Sequence, residues 1–446
     1  MIQEANAMSK VVKFGGSSLA SARQFKKVKS IITADKTRCF VVPSAPGKRD
    51  SQDTKVTDLL YQCYEAASEG QSYKRILEQI KKRFYDIIDD LDLNLNLDFE
   101  FDTIEENFLK KAGRSYAASR GEYLNGMILA EYLGFPFVDA ATVICFDENG
   151  EFLAEETNRE LKLQLGEMKQ AVIPGFYGAK PDGTITTFSR GGSDVTGSLV
   201  ARALHADLYE NWTDVSGFLV ADPRIVKDPA QIGTITYREL RELSYMGAGV
   251  LHEDAIFPVR KEGIPINIRN TNKPEDPGTL IVESTTRKTP YTITGIAGKK
   301  GFCSVIIDKA MMNTEVGFGR KVLEVFERHG IPFEHMPSGI DTMSVLVHQD
   351  EFEANEQAVV SGIQRAVHPD FIDLESDLAL IAVVGRGMKS NRGTAARIFA
   401  ALSHARINVR MIDQGSSELN IIIGVHDEDF EDAIHAIYDI FVTTAL

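Results

Sequence analysis

Two glycine-rich turns constrain this chain more than any other feature: Lys13-Phe14-Gly15-Gly16-Ser17-Ser18 and Arg190-Gly191-Gly192-Ser193-Asp194. Each ends a short apolar or β-branched run and opens helix-compatible sequence. Each therefore asks for a strand, a tight turn and a helix, with bare backbone N–H groups at the mouth of the turn where an anion is favoured. One turn brings a lysine, the other an arginine and an aspartate. That set can hold a nucleotide triphosphate, a metal ion and a small acid together.

The surrounding pattern agrees. From residue 11 to about 285, short β-rich runs alternate with amphipathic helical stretches, the signature of an αβα layer sandwich with a mainly parallel sheet. Val11 to Phe14, Cys39 to Val42, Phe137 to Val138, Ala171 to Ile173, Asp207 to Tyr209 and Ile264 to Ile268 read as strands. Ala22 to Thr33, Thr54 to Ala67, Gly121 to Leu133 and Ser193 to Leu204 read as helices. The charged stretch from Ser68 to Ser119 carries no motif and reads as a helical lobe at the sheet edge. A Pro- and Thr-containing stretch from Pro274 to Pro290 marks a boundary.

Beyond the boundary lies an internal repeat. Aligning Gly317 with Gly393 without gaps also matches Val322 with Ile398, Phe326 with Leu402, Phe333 with Val409, Gly339 with Gly415 and Val345 with Ile421. The duplication implies two ferredoxin-like βαββαβ units. Three domains are therefore expected, over residues 1–288, 289–375 and 376–446.

At 446 residues the chain exceeds one ordinary core, and its 43% hydrophobic and 25% charged composition is that of a soluble globular protein. A formal charge of -15 argues against the basic footprint that nucleic acid or an anionic membrane requires. The opening Met1 to Met8 has neither a basic nor an apolar signal region, and apolar runs such as Leu378 to Val384 are far too short to span a bilayer, so a cytoplasmic location is expected. Cys39, Cys63, Cys145 and Cys303 are scattered without metal-ligand spacing and read as buried free thiols. No protein metal site is expected.

Residue by residue, each motif also has a plain structural explanation. Gly15 and Gly16 let backbone approach phosphate oxygens while Lys13 supplies a point charge, yet a strand-ending lysine and a tight turn would look the same. The turn is not a Walker loop, because Gly47-Lys48 and Gly298-Lys299 are followed by Arg49 and Lys300. Asp194 suits a metal-facing acid or a first-turn carboxylate favoured by the helix dipole. Thr213 and Asp214 in Asn211-Trp212-Thr213-Asp214-Val215, and Arg224 after Ala221-Asp222-Pro223, suit nucleotide contacts or a polar crossover loop. Glu122, in Ser119-Arg120-Gly121-Glu122, is by default an N-terminal helix acid.

Taken together, KFGGSS, SRGE, SRGGSDVTG, NWTDV, ADPR and GAGVLHEDA closely resemble, in order and spacing, the aspartate kinases of the amino-acid kinase family, over essentially the whole chain. The duplicated C-terminal units resemble the paired ACT domains of the same enzymes. The resemblance implies ATP-dependent phosphorylation of the aspartate side-chain carboxylate to 4-phospho-L-aspartate, the first step toward lysine, threonine and methionine. It implies that Lys13, Gly15, Gly16 and Ser17 hold ATP phosphates, that Asp194 organises the lysine and Mg²⁺, and that Thr213, Asp214, Leu219, Arg224, Gly249 and Val250 lie on the nucleotide side. Ser44, Thr57, Glu122, Arg190 and Ser193 would hold aspartate, Glu122 facing its ammonium group. Four positions depart from the family pattern: Gly249 replaces a lysine and Glu253 a proline in the GAKVLHP context, Leu219 stands where an aromatic is frequent, and Ser17 replaces threonine.

The same resemblance implies an amino-acid effector, lysine favoured over threonine, and a homodimer or homotetramer through the ACT units. Met312, Asn313, Glu315, Gly317 and Phe318 would offer backbone amides to its carboxylate, and Glu334, Ser338 and Asp341 would meet its ammonium group. Without a long C-terminal extension, a monofunctional kinase is expected. Two rivals stay open: a kinase for glutamate or a related acid, and a catalytically silent amino-acid sensor.

Overall fold

The computed structural model describes residues 9–189, 191–248, 253–287 and 290–444. Arg190, Gly249, Val250, Leu251 and His252 lie outside them. The described chain forms two compact units, one built from residues up to Phe218 with Gly233–Tyr237 and Val250–Thr285, the other from Leu219–Ile232, Arg238–Gly249 and Thr286–Leu446.

The first unit is organised on a seven-stranded sheet. Its strands are β1 (Lys10–Phe14), β2 (Arg38–Pro43), β3 (Ala171–Val172), β6 (Leu208–Thr213), β7 (Thr234–Thr236), β8 (Ile266–Asn270) and β9 (Thr279–Val282), with a separate hairpin of β4 (Tyr177–Ala179) and β5 (Ile185–Thr187). The order is β3-β2-β1-β6-β8-β9-β7. All neighbours are parallel except β8 and β9, so the mainly parallel sandwich is borne out. The β-branched run of β1 explains its central place, since Val11, Val12 and Phe14 are fully buried as a strand covered on both faces must be.

Helices α1 (Ala22–Thr33), α2 (Val56–Ser68), α3 (Lys74–Asp90), α4 (Asp98–Leu109), α5 (Arg114–Leu133), α6 (Ala154–Leu165), α7 (Gly192–Ala203), α8 (Tyr237–Tyr245) and α9 (Glu253–Lys261) follow in chain order. The motif-free stretch after Ser68 is indeed helical, and Leu77, Ile80, Phe84, Phe101 and Phe108 pack it into the same core as α1, α2 and α5. Helix α5 runs seven residues further toward the N-terminus than expected, because Ala117, Ala118 and Gly121 let it approach the β2 turn. A Cβ at Gly121 would lie 2.8 Å from that of Ala45. Phe137 and Val138, expected as a strand, contribute a lone bridge from Phe137 to Val172, since β3 offers only two residues to pair with. Cys39 and Cys145 are only half-buried, whereas Cys63 and Cys303 are buried; all four are free thiols.

In the second unit, β10 (Gly295–Asp308), β11 (Phe333–His335), β12 (Thr342–His348), β13 (Phe371–Val384), β14 (Met411–Asp413) and β15 (Asn420–His426) form one sheet in the order β11-β12-β10-β13-β15-β14. Helices α10 (Phe318–Arg328), α11 (Gln349–Glu353), α12 (Glu356–Val367), α13 (Thr394–His404) and α14 (Phe430–Tyr438) complete the two repeats. The long strands β10 and β13 pair antiparallel along their full length, so position 376 falls inside a continuous strand. Their register shifts around Phe302, close to Gly301 at φ 87° and Asp377 at φ 56°. The sheet's two edges meet, His335 of β11 bonding Asp413 of β14 at 2.8 Å.

The gapless repeat alignment holds for the first strand and helix and then slips by two residues. Val345 stands opposite Val305, and its counterpart opposite Ile381 is Ile423, not Ile421. The extra residues lie in the longer connection between α13 and β14. Among the described residues, no helix is long and apolar enough to cross a membrane.

Candidate active site

The carboxyl ends of β1, β2 and β6 lie side by side, and the first unit gathers its charged groups there. Lys13 and Asn211 are register partners on β1 and β6, so strand alternation aims both to one side of the sheet. Both reach Asp194 in the first turn of α7: Lys13 Nζ stands 2.6 Å from Asp194 Oδ1, and Asn211 Nδ2 donates to the same oxygen at 2.7 Å. The lysine is buried, with 7% of its surface exposed. A buried ammonium needs such a partner, and with three donors it keeps capacity for a further anion. Gly191 carries the turn into α7 at φ 62°, a conformation that favours glycine, and its carbonyl accepts from Asp194 N at 2.8 Å.

The two glycines of the first turn differ in what they do. Gly16 is fixed by neighbouring backbone: a Cβ there would lie 2.9 Å from Ala45 O, and its carbonyl accepts from Gly47 N at 2.8 Å. Gly15 gives its N–H to Trp212 O at 2.9 Å and its carbonyl accepts from Ser18 N at 3.0 Å, yet a Cβ on it would meet nothing nearer than 3.6 Å, one of those atoms being Lys13 Nζ. Open space beside the lysine is what an incoming phosphate needs. Ser17 follows, its carbonyl accepting from Gln24 Nε2 at 3.2 Å.

Glu122 faces this region from α5. Its side chain is buried, 6% exposed, and among the described residues Oε2 has no hydrogen-bond partner. Burial pushes its carboxyl up to about 8, although N–H groups of Ala45 and of Glu122 itself, and the charges of Arg120 and Lys13, pull the other way. Ser44 sits in the same turn as Ala45: its N–H donates to Phe14 O at 3.0 Å, and its carbonyl accepts from Asn125 Nδ2 of α5 at 2.6 Å. Thr57 is half-buried in the first turn of α2. Ser193 is buried beside Gly175, whose missing side chain makes the room. Arg190 lies outside the described residues.

On the nucleotide side the structure divides the expected set. Thr213 and Asp214 are at the carboxyl end of β6, linked to each other at 3.2 Å. Leu219 and Arg224 belong to the second unit, where Leu219 bridges to Gln231 and the Arg224 guanidinium is taken by Asp222 at 2.6 Å. Gly249 and Val250 lie outside the described residues. Asn211 is the residue the sequence reading passed over; its strand alternation with Lys13 was the available signal. Among the described residues, no three His, Cys, Asp or Glu side chains gather as a metal cage.

The expected effector residues fall in the second unit. The turn at Met312 and the turn at Asp341 are bound together, Asn313 N donating to Ile340 O at 3.1 Å and Asp341 Oδ1 accepting from Met311 N at 2.9 Å. Glu315 lies between Lys309 and Lys321, whose hydrogen bonds hold its carboxyl down at about 2. Gly317 caps α10 at φ 81°, and Phe318 is buried beneath it. Glu334 is turned to His348, at 3.4 Å, and to Tyr245. Ser338 lines a cavity of about 280 Å³ with Ser304, Ser344, Glu375 and Arg410.

A parallel α/β sheet with two glycine turns at its carboxyl edge defines a phosphate-handling kinase fold, and the profile of the Amino acid kinase family matches residues 8–270. An ACT domain profile matches residues 381–441. Aspartokinase 3 of Bacillus subtilis is 42% identical over 98% of this chain and 99% of its own. The crystal structure of Clostridium acetobutylicum aspartate kinase is 50% identical, covers 98% of this chain and 100% of its own, and superposes with a TM-score of 0.89. Two structures of E. coli aspartokinase III, 24% identical and with TM-scores of 0.71 and 0.72, share the fold over 97% of this chain and 99% of theirs. The chain belongs to the aspartokinase family, enzymes that act as aspartate kinases and carry ACT regulatory domains.

Proposed function

We propose that this chain transfers the γ-phosphoryl group of ATP to the side-chain carboxylate of L-aspartate, giving 4-phospho-L-aspartate and ADP. The observation that carries the reading is the meeting of Lys13 and Asp194 at 2.6 Å beside the open face of Gly15. The substrate carboxylate, with an ordinary pKa near 3.9, is already ionised at neutral pH, so the enzyme supplies no general base. A carboxylate oxygen bonds to the γ-phosphorus as the bond to the bridging oxygen breaks, and the electron pair leaves with ADP. Lys13 and the glycine-turn amides neutralise charge on the transferring group.

The substrate's ammonium group pairs with Glu122, whose orphan oxygen it satisfies. Arg190, Ser193, Ser44 and Thr57 complete the aspartate site, and Thr213, Asp214, Leu219, Arg224, Gly249 and Val250 the nucleotide side. Mg²⁺ would ride on the phosphates, with Asp194 the residue that would organise it and Lys13, and would supply charge neutralisation there. E. coli aspartokinase III has been crystallised with aspartate and ADP, and with lysine and aspartate. For this chain we read lysine as the inhibitor, bound through the turns at 312–318 and 338–341, and the repeats as the contact that builds a homodimer or homotetramer.

The test is hydroxylamine trapping of acyl phosphate with MgATP and a panel of acids. Turnover with aspartate, lost by at least about 100-fold in Lys13→Ala, is expected. Turnover with glutamate alone would favour the rival kinase, and none with any acid the silent sensor.

A further inference from the structure

The helical lobe carries a buried arginine that the phosphate site does not touch. Arg83 of α3 is 4% exposed, on the same helix as the buried Ile80, Phe84 and Ile87. Its Nη2 donates to Gly47 O at 2.6 Å and reaches Ala20 O at 3.4 Å, while Nη1 pairs with Asp53. Asp53 is held in turn by Arg49, whose N, Nε and Nη2 donate at 2.9, 3.0 and 3.1 Å.

Gly47, so gripped, donates its own N–H to Gly16 O at 2.8 Å, and a Cβ on it would lie 2.6 Å from Gly16 C. One guanidinium thus ties together the turn after β1, the turn after β2 and the charged loop beyond. The arrangement is costly, because Arg83 Nε is buried without a partner among the described residues. The same guanidinium is nevertheless the donor to Gly47 O and a partner of Asp53, so what the arginine adds is a fixed geometry between the turns.

We infer that Arg83 is a positioning residue for phosphoryl transfer, fixing the turn at 45–47 against Gly16 and with it the direction in which the glycine-turn amides point. The inference rests on the reading that this turn holds the ATP phosphates. Arg83 touches no reacting atom, so its loss weakens nucleotide binding more than it slows the chemical step. Lysine cannot span both Gly47 O and Asp53, so Arg83→Lys recovers part of the effect only.

The test is steady-state kinetics, ADP calorimetry and thermal midpoints on the full chain for Arg83→Met, Arg83→Lys, Asp53→Asn and Lys13→Met. Arg83→Met should raise KM for ATP and the Kd for ADP about tenfold, the size of one lost charged hydrogen bond, with kcat reduced less than about threefold. Asp53→Asn should shift both the same way by less, Arg83→Lys should fall between, and adding Asp53→Asn to Arg83→Met should change little further. A folded Arg83→Met enzyme with KM for ATP and ADP affinity within about twofold of the parent overturns the inference. So does an equal fall in kcat and in both substrates' affinities alongside the midpoint. Should Arg83→Met not fold, an unchanged KM for ATP in Asp53→Asn overturns it. Normal ADP binding in Lys13→Met sinks the underlying phosphate reading, and this inference with it; lost binding there with normal binding in Arg83→Met sinks this inference alone.

Discussion

Glu122 shows what a buried carboxyl implies at the scale of one residue. With its folded pKa raised to about 8 by burial, it keeps a proton that the unfolded chain has lost above 4.5. Stability contributed by this group is therefore full below 4.5 and declines as pH climbs toward 8. Glu122→Gln removes the dependence, so its thermal midpoint should gain on the parent progressively from pH 5 to pH 8; a constant offset across that range would refute the assignment. If the aspartate ammonium docks here, the carboxyl ionises, and aspartate binding near pH 7 should release a proton. Calorimetry in buffers of different ionisation enthalpy reads that proton directly. The SRGE context singled out this glutamate, but its missing partner and raised pKa depend on how closely α5 approaches Ala45, a distance no linear pattern encodes.

At the scale of elements, the first glycine turn separates two roles that a Gly-Gly pair in sequence cannot. Gly16→Ala places a Cβ against Ala45 O, and we expect it to cost roughly 1–3 kcal/mol of stability. Gly15 has φ -69° and an open flank, so Gly15→Ala should leave the thermal midpoint unchanged while weakening ADP binding. Calorimetry and thermal melts on the two variants check the contrast, and equal losses of stability would contradict it.

Strands β1 and β6 and helices α1 and α7 were legible because β-branched runs and apolar spacing fixed them within a few residues. The hairpin of β4 and β5 was missed, since three-residue strands give alternation too little length. The slip in the repeat was hidden for a different reason: a two-residue gap preserves the inward and outward alternation of a strand, so Val345 fits Ile421 as well as Ile423 by pattern.

At the scale of the whole molecule, the prediction concerns regulation. Lysine should lower activity and move the thermal midpoint, and Ser338→Trp, which intrudes on the cavity at Glu375 and Arg410, should blunt both responses while turnover without lysine persists. Light scattering with and without lysine checks whether the repeats assemble the chain. The segments 219–232 and 238–248 follow the kinase motifs in sequence, yet they group with the C-terminal unit. Ile296 N donates to Val220 O at 2.7 Å, and Glu239 accepts from Thr294 at 2.6 Å and from Arg386 N at 2.8 Å. Pairings across so great a separation leave no local trace.

The full-length pairing of β10 with β13 also means that neither repeat owns all its strands. Gly295 to Lys299 lie against Leu380 to Val384, whereas Ser304 to Asp308 lie against Phe371 to Glu375. A chain cut after 375 would strip one end of β10 of its neighbour and expose a raw edge. Expressed apart, each copy should therefore melt well below the paired repeats, which thermal unfolding of the separate halves would check.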